Sequence, residues 1–255
     1  MDFDALVLRD GDRVTATGRV VRNETGDWFQ PRLPVRLPGG VPRRVKPVWH
    51  GAVRVTGADV DQLGDRFERD GAVEGFATLT GIWSAEQLQV DHQARPERPH
   101  PQPRRWVLPP CPAPEGGWPH LTRGLGDLNL HFDLGDLKET GAIVAVTVFR
   151  PSEDQAVLVV AATDAATAEA QLRPQLGQLL CVTPSKWSRA ELDAVRAHLH
   201  AHREAWNLYE WGGSTTGDGQ AQVAASLTRM LPEIAAWAAT RPSGILALEP
   251  WLNPT

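Results

Sequence analysis

The sequence predicts an α+β protein of two domains, and three observations predict it. Apolar and polar residues alternate with period two through parts of residues 1–92. Nine prolines then fall between residues 93 and 125. Proline lacks an amide donor and restricts the residue before it, so that stretch is neither helix nor central strand. From residue 126 onward, apolar runs of strand type alternate with helix-start signals. The expected divisions are a β-rich domain over 1–92, a proline-rich linker or strap over 93–125, and an α+β sandwich over 126–255.

In the first division, Val14, Ala16, Gly18 and Val20 alternate with Arg13, Thr15, Thr17 and Arg19. That pattern predicts a half-buried strand. The turn cluster 23–27 leads to a second strand starting at Trp28 and Phe29, and Ala52–Thr56 gives a third. Val60, Leu63 and Phe67 share one face if residues 59–69 form a short helix. Phe76–Trp83 and Gln87–Asp91 read as a hairpin about the turn at 84–86. Three strands, a helix and a hairpin, with Gly11–Val21 as first strand and Ala77–Trp83 as fourth, resemble an OB-fold. That resemblance covers about a third of the chain and implies a small β-barrel.

The proline-rich stretch carries Trp106 and Trp118. Large apolar rings favour a strap anchored on a surface over a solvated spacer. Beyond it, Ile143–Phe149 and Ala156–Ala161 read as strands of a hairpin. Asp164 caps a helix that Pro174 stops at Arg173, and Leu179–Thr183 is the next strand. Ser188 and Glu191 form a capping box, with Trp187 and Leu192 at the staple positions. Leu192, Val195, Leu199 and Trp206 share the face of the helix that follows. A turn at 215–219 leads to a strand over 220–230, Pro232 opens another helix, and Ile245–Leu248 closes the series. The expected order ββαβαβαβ describes one sheet with helices on one face, nearest to a ferredoxin-like α/β sandwich. The stretch Ala190–Val195 with the turn and strand after it is also similar to pro-segments of α-lytic-type serine proteases. That likeness implies shared architecture only.

Composition narrows the function classes. The 255 residues carry a net charge of -5, so a uniformly basic nucleic-acid binder is excluded. Two cysteines cannot build a Cys-rich zinc site. Cys181 lies in an apolar run and Cys111 among prolines, which predicts two free thiols in a reducing compartment. The N-terminus lacks secretory-signal character, and no run of about 18 apolar residues exists. A cytoplasmic protein without a membrane span is expected.

Candidate chemistry is sparse. His198 and His202 are one helical turn apart, but His200 points elsewhere and no His-Glu-x-x-His pattern occurs. His131, Asp133 and Asp136 form the other polar cluster, and His131, Asp133 and the histidine helix are the suspects for an enzyme site assembled between domains. No nucleophile elbow and no phosphate-binding glycine loop is present. Gly212-Gly213-Ser214 and Gly217-Asp218-Gly219 read as hairpin-turn glycines. No catalytic residue, metal or cofactor is assigned.

Charge is distributed unevenly. Between Asp27 and Asp59 there is no acidic residue, while Arg32, Arg36, Arg43, Arg44, Lys46 and Arg54 are basic. Residues 93–125 carry +3 and residues 126–255 carry -6. The basic interval also holds Trp28 and Trp49, and the strap holds Arg104 and Arg105 beside Trp106. Guanidinium groups beside exposed rings suit phosphate neutralisation and base stacking. The sequence therefore points first to a non-catalytic binding protein with a protein partner. Single-stranded nucleic acid is the alternative ligand. The binding candidates are Trp28, Arg43, Arg44, Lys46, Trp49, Arg104, Arg105 and Trp106. The sequence fixes no oligomeric state.

Overall fold

The alternation in the first segment becomes β1 (Arg13–Asn23), whose even positions from Val14 to Val20 are buried while Arg13, Thr15 and Thr17 face solvent. A computed structural model describes residues 2–31, 49, 51–69, 71–96, 107–120 and 141–255. The chain is a mixed α+β structure dominated by several sheets. The first sheet adds β2 (Gly26–Gln30), β3 (Val53–Thr56), β4 (Gly64–Arg69), β5 (Ala72–Ser84) and β6 (Gln87–Ala94). Its strand order is β1-β2-β3-β6-β5-β4, and β1 also pairs with β5. The strands β1, β2, β3, β6 and β5 thus form a hydrogen-bonded circuit that returns to β1. Four of its junctions are antiparallel, and β3–β6 is parallel.

The circuit encloses Val14, Val20, Phe29, Leu79, Trp83 and Leu88, all buried. Two strand glycines allow the backbones to close this tightly. A Cβ at Gly18 would lie 2.4 Å from the carbonyl oxygen of Gln30. At Gly81 it would lie 2.0 Å from that of Gln89, beside the register shift between Thr80 and Gly81. A missing side chain at a bulge lets a strand bend onto its neighbour.

The helix expected over 59–69 is corrected. Asp59 caps only a short 3-10 turn, Val60–Gln62, and the chain then runs as β4 against β5. Val60 and Leu63 are buried as expected, but Phe67 is 37% exposed. Their spacing fits a helix. The first part of β5 offers β4 an antiparallel partner instead, with one register shift between Gly64 and Phe67, and long-range pairing overrides local periodicity.

The C-terminal part contains β7 (Ile143–Phe149), β8 (Val157–Ala162), α1 (Ala165–Leu176), β9 (Leu180–Pro184) and α2 (Arg189–His202). It continues with β10 (Leu208–Thr215), β11 (Ala221–Arg229), α3 (Pro232–Ala239) and β12 (Leu246–Leu252). The expectation of one sheet, and of a ferredoxin-like sandwich built on it, is corrected. The strands form two three-stranded sheets, β7-β8-β9 and β10-β11-β12. Each has an antiparallel first pair and a parallel second pair that spans a helix. A β-β-α-β unit therefore occurs twice, from Ile143 and from Leu208. Gly212 and Gly213 lie inside β10 rather than in its turn.

Local signals hold at the helix ends. Asp164 accepts from the Thr167 amide, and Ser188 and Glu191 make the reciprocal capping box. Pro174 sits within the last turn of α1, which continues to Leu176. The missing amide costs α1 one bond, to the Ala170 carbonyl, and the helix continues past it, so the expected stop at Arg173 is corrected. Leu192, Val195, Leu199 and Trp206 are all buried, although α2 itself ends at His202.

Residues 107–120 lie across the first of these sheets. Trp118 is buried with Phe149, Val157, Val159 and Cys181, as a strap anchor should be. Cys111 and Cys181 are joined in a disulfide, which corrects the expectation of two free thiols. The cytoplasmic expectation loses that support. No helix among the described residues is long and apolar enough to cross a membrane.

The first and last segments of the chain exchange contacts. Val7 forms a parallel bridge with Met230, and Val14 an antiparallel bridge with Pro254. The Trp251 indole N–H donates to the Thr17 carbonyl at 3.1 Å, with its ring centroid 4.6 Å from that of Phe29. Leu252 belongs to the core of the first sheet.

Candidate functional site

Two neighbouring strands of the circuit place a tryptophan beside an arginine. Trp28 on β2 and Arg54 on β3 are cross-strand partners. The Arg54 guanidinium lies 4.9 Å from the Trp28 ring centroid. Thr25, in the β1–β2 turn, fixes both. Its hydroxyl accepts from the Trp28 indole N–H at 3.0 Å, and its carbonyl accepts from Arg54 Nη2 at 3.1 Å. Trp28 is half-buried and Arg54 exposed. A cation held over an indole is electrostatically favourable and keeps both groups in place. Among the described residues no carboxylate pairs with Arg54.

A second pair stands nearby. Trp83, at the end of β5, is buried, and the Arg229 guanidinium lies 4.9 Å from its ring centroid. Arg229, from β11, also forms an ion pair with Glu86 in the β5–β6 turn. The Thr228 hydroxyl donates to the Gly51 carbonyl at 2.9 Å and ties β11 to the segment before β3. Together these groups line a cleft of about 300 Å³, with Trp28, Arg54, Trp83, Glu86, Asn207 and Arg229 on its walls.

Trp49 packs its ring against Gly51, which lines this cleft. Its ring makes an edge contact with Tyr209 at 5.9 Å, and its amide donates to Gln30 Oε1 at 3.0 Å. Burial pushes the Tyr209 hydroxyl up, so it remains neutral at physiological pH. The structure thus brings Trp28 to the cleft wall and Trp49 against Gly51 beside it. Arg43, Arg44, Lys46, Arg104, Arg105 and Trp106 lie outside the described residues, as do His131, Asp133 and Asp136. Pro31 and Trp49, which flank the basic segment 32–48, are described.

Comparison with known proteins finds no family model, no curated protein and no solved structure that matches this chain.

The binding candidates read from the sequence did not include Trp83, Arg229 or Glu86. Trp83 reads as a strand core residue, and it is one. Its ring meets Arg229 only because β11 crosses the end of β5, a juxtaposition of residues 146 positions apart. The charge interval did contain Arg54, whose partner Trp28 follows from strand register alone.

The histidines on α2 do different work. His198 stacks between Trp237 at 4.5 Å and His202 at 4.2 Å, while the His198 carbonyl accepts from His202 Nδ1 at 2.9 Å. Burial, and the nearby charges of His202 and Arg241, hold the His198 pKa below its ordinary value. The described residues contain no group of three or more His, Cys, Asp or Glu able to hold a metal.

Proposed function

We propose that this is a non-catalytic binding protein whose ligand face is the cleft at Trp28, Arg54, Trp83 and Arg229. One observation carries the reading. The Arg54 guanidinium is fixed over a half-exposed indole without a counter-ion among the described residues. Such a group is prepared for an anion beside a planar ring, and its own order costs little on binding.

Single-stranded nucleic acid is the ligand we favour over a protein partner. The acid-free basic interval 28–58 supports it, because Trp28 and Arg54 from that interval stand on the cleft wall. Phosphates would meet the arginines and a base would meet Trp28. The five-strand circuit with its single parallel junction also supports reading the first sheet as an OB-type barrel. In this reading the protein works in the cytoplasm.

Fluorescence anisotropy with a labelled single-stranded oligonucleotide tests the proposal. Binding should weaken steeply as salt rises, and Arg54→Glu and Trp28→Ala should each weaken it at least about tenfold. Reversal of Arg43 and Arg44 to Glu should flatten the salt slope. Absent or salt-independent binding rejects nucleic acid. Retention of a protein partner by these variants would also reject the cleft as the ligand face.

A further inference from the structure

The strap over 107–120 is fastened at its ends by noncovalent bonds and in its middle by sulfur. The Val107 amide donates to the Arg150 carbonyl at 2.9 Å. At the other end, Gln155 Nε2 donates to the Trp118 carbonyl at 2.8 Å, and His120 Nδ1 lies 2.6 Å from an Asp154 carboxylate oxygen. Between these ends, from Leu108 to Gly117, the backbone hydrogen bond among the described residues is internal, from the Gly117 amide to the Pro114 carbonyl. Among the described residues, the middle is held by the Cys111–Cys181 disulfide and by close packing of Pro110 at Gly219. Four prolines in this stretch remove amides that could have bonded elsewhere.

The middle also stands off the body. A cleft of about 300 Å³ separates Cys111, Pro112, Pro114 and Trp118 from Arg173 and Leu180. Cys111 is half-buried on this cleft, whereas Cys181 is completely buried in β9. Cys111 therefore borders the cleft, whereas Cys181 is shielded from it. Leu108, next to the fastening, is 72% exposed.

We propose that Cys111–Cys181 is a reducible latch, and that its opening by a dithiol releases residues 108–117 from the face of the β7-β8-β9 sheet. The thiolate of the dithiol attacks Cys111 Sγ along the cleft. The protein S–S bond breaks, a mixed disulfide forms at Cys111, and Cys181 leaves as a thiolate that takes up a proton. The second thiol of the reductant then attacks its own mixed sulfur, Cys111 leaves as a thiol, and the reductant closes to a disulfide. Two electrons pass to the protein, and both cysteines end protonated. Release uncovers Cys181 and Val159 and frees the turn at Gly219 from Pro110.

The test uses the full chain, purified in air. Dithiothreitol is added at neutral pH without denaturant, and samples are alkylated with iodoacetamide and read by mass spectrometry. Both cysteines should be blocked before reduction and labelled after it. Cleavage after Glu115 by a glutamate-specific endoprotease should accelerate at least about tenfold on reduction, with other sites unchanged. Cys111→Ser should show the fast cleavage, and label Cys181, with no reductant present. Three results would each overturn the latch: cysteines that label fully in air and do not pair under mild oxidant; a disulfide that resists dithiothreitol until the protein unfolds; or reduction without faster cleavage at Glu115.

Discussion

Closure of the five-strand circuit makes Gly81→Ala a severe change. The added methyl would sit 2.0 Å from the Gln89 carbonyl oxygen, 2.8 Å from its carbon and 2.9 Å from Val90 Cα. An ordinary carbon–oxygen contact is roughly 3.3 Å, so β5 and β6 must part by about 1.3 Å. All three obstacles are backbone, and no side-chain rotation relieves them. Parting the strands weakens the rungs Gly81–Val90 and Ile82–Gln89. Two ladder bonds at about 1 kcal/mol each add to an overpacking cost of about 1–3 kcal/mol. Alanine returns about 0.5–1 kcal/mol through the reduced freedom of the unfolded chain. The net loss is then about 2–4.5 kcal/mol. Gly212→Ala is the control, because nothing lies within 4 Å of its added methyl and it too is in a strand. It should be neutral or stabilising by up to about 1 kcal/mol. Urea unfolding followed by far-UV circular dichroism gives both values. If the two variants agree within about 1 kcal/mol, the close approach of β5 and β6 is wrong.

Other outcomes follow from the same coordinates. Burial and the nearby charges of His202 and Arg241 lower the His198 pKa in the folded state, so folding disfavours its proton. Its contribution to stability is complete above the unfolded pKa of 6.5 and is lost as pH falls below it. The urea midpoint should therefore drop between about pH 7.5 and 5.5, and His198→Phe should flatten that drop. Ser188→Ala breaks the capping box and should cost about 1 kcal/mol, read by the same unfolding assay. Replacing both Cys111 and Cys181 by Ala opens a loop of 70 residues. Chain entropy puts that loss at roughly 4 kcal/mol, measured against the oxidised protein.

Legibility of the fold tracked the range of the interactions that decide it. β1, the capping box at Ser188 and the helix opened by Pro232 rest on patterns only a few residues long, and they stand where the sequence places them. β4 and β10 do not. Val60, Leu63 and Phe67 imitate a helix face, and Gly212-Gly213-Ser214 imitates a turn, yet each segment pairs with a neighbouring strand. The second three-stranded sheet was hidden with β10, because without that strand the repeated β-β-α-β order cannot be recognised. Cys111 and Cys181 carry no local sign of pairing across 70 residues. The candidate cleft was half legible. Trp28 and the basic interval stand out in the sequence, whereas Trp83 meets Arg229 only through tertiary crossing.

The seating of Trp251 sets an order of events during synthesis. Its indole bonds to Thr17, 234 residues earlier, and Thr255 bonds to Arg13 across 242 residues. At about 5–20 residues per second, the ribosome makes β1 roughly 10–50 seconds before Trp251. During that interval Phe29 and the groove at Gly18 lack their final cover. Contacts this distant in sequence also slow folding once the chain is free. The nascent N-terminal sheet therefore stays incompletely covered until the last residues of the chain are made.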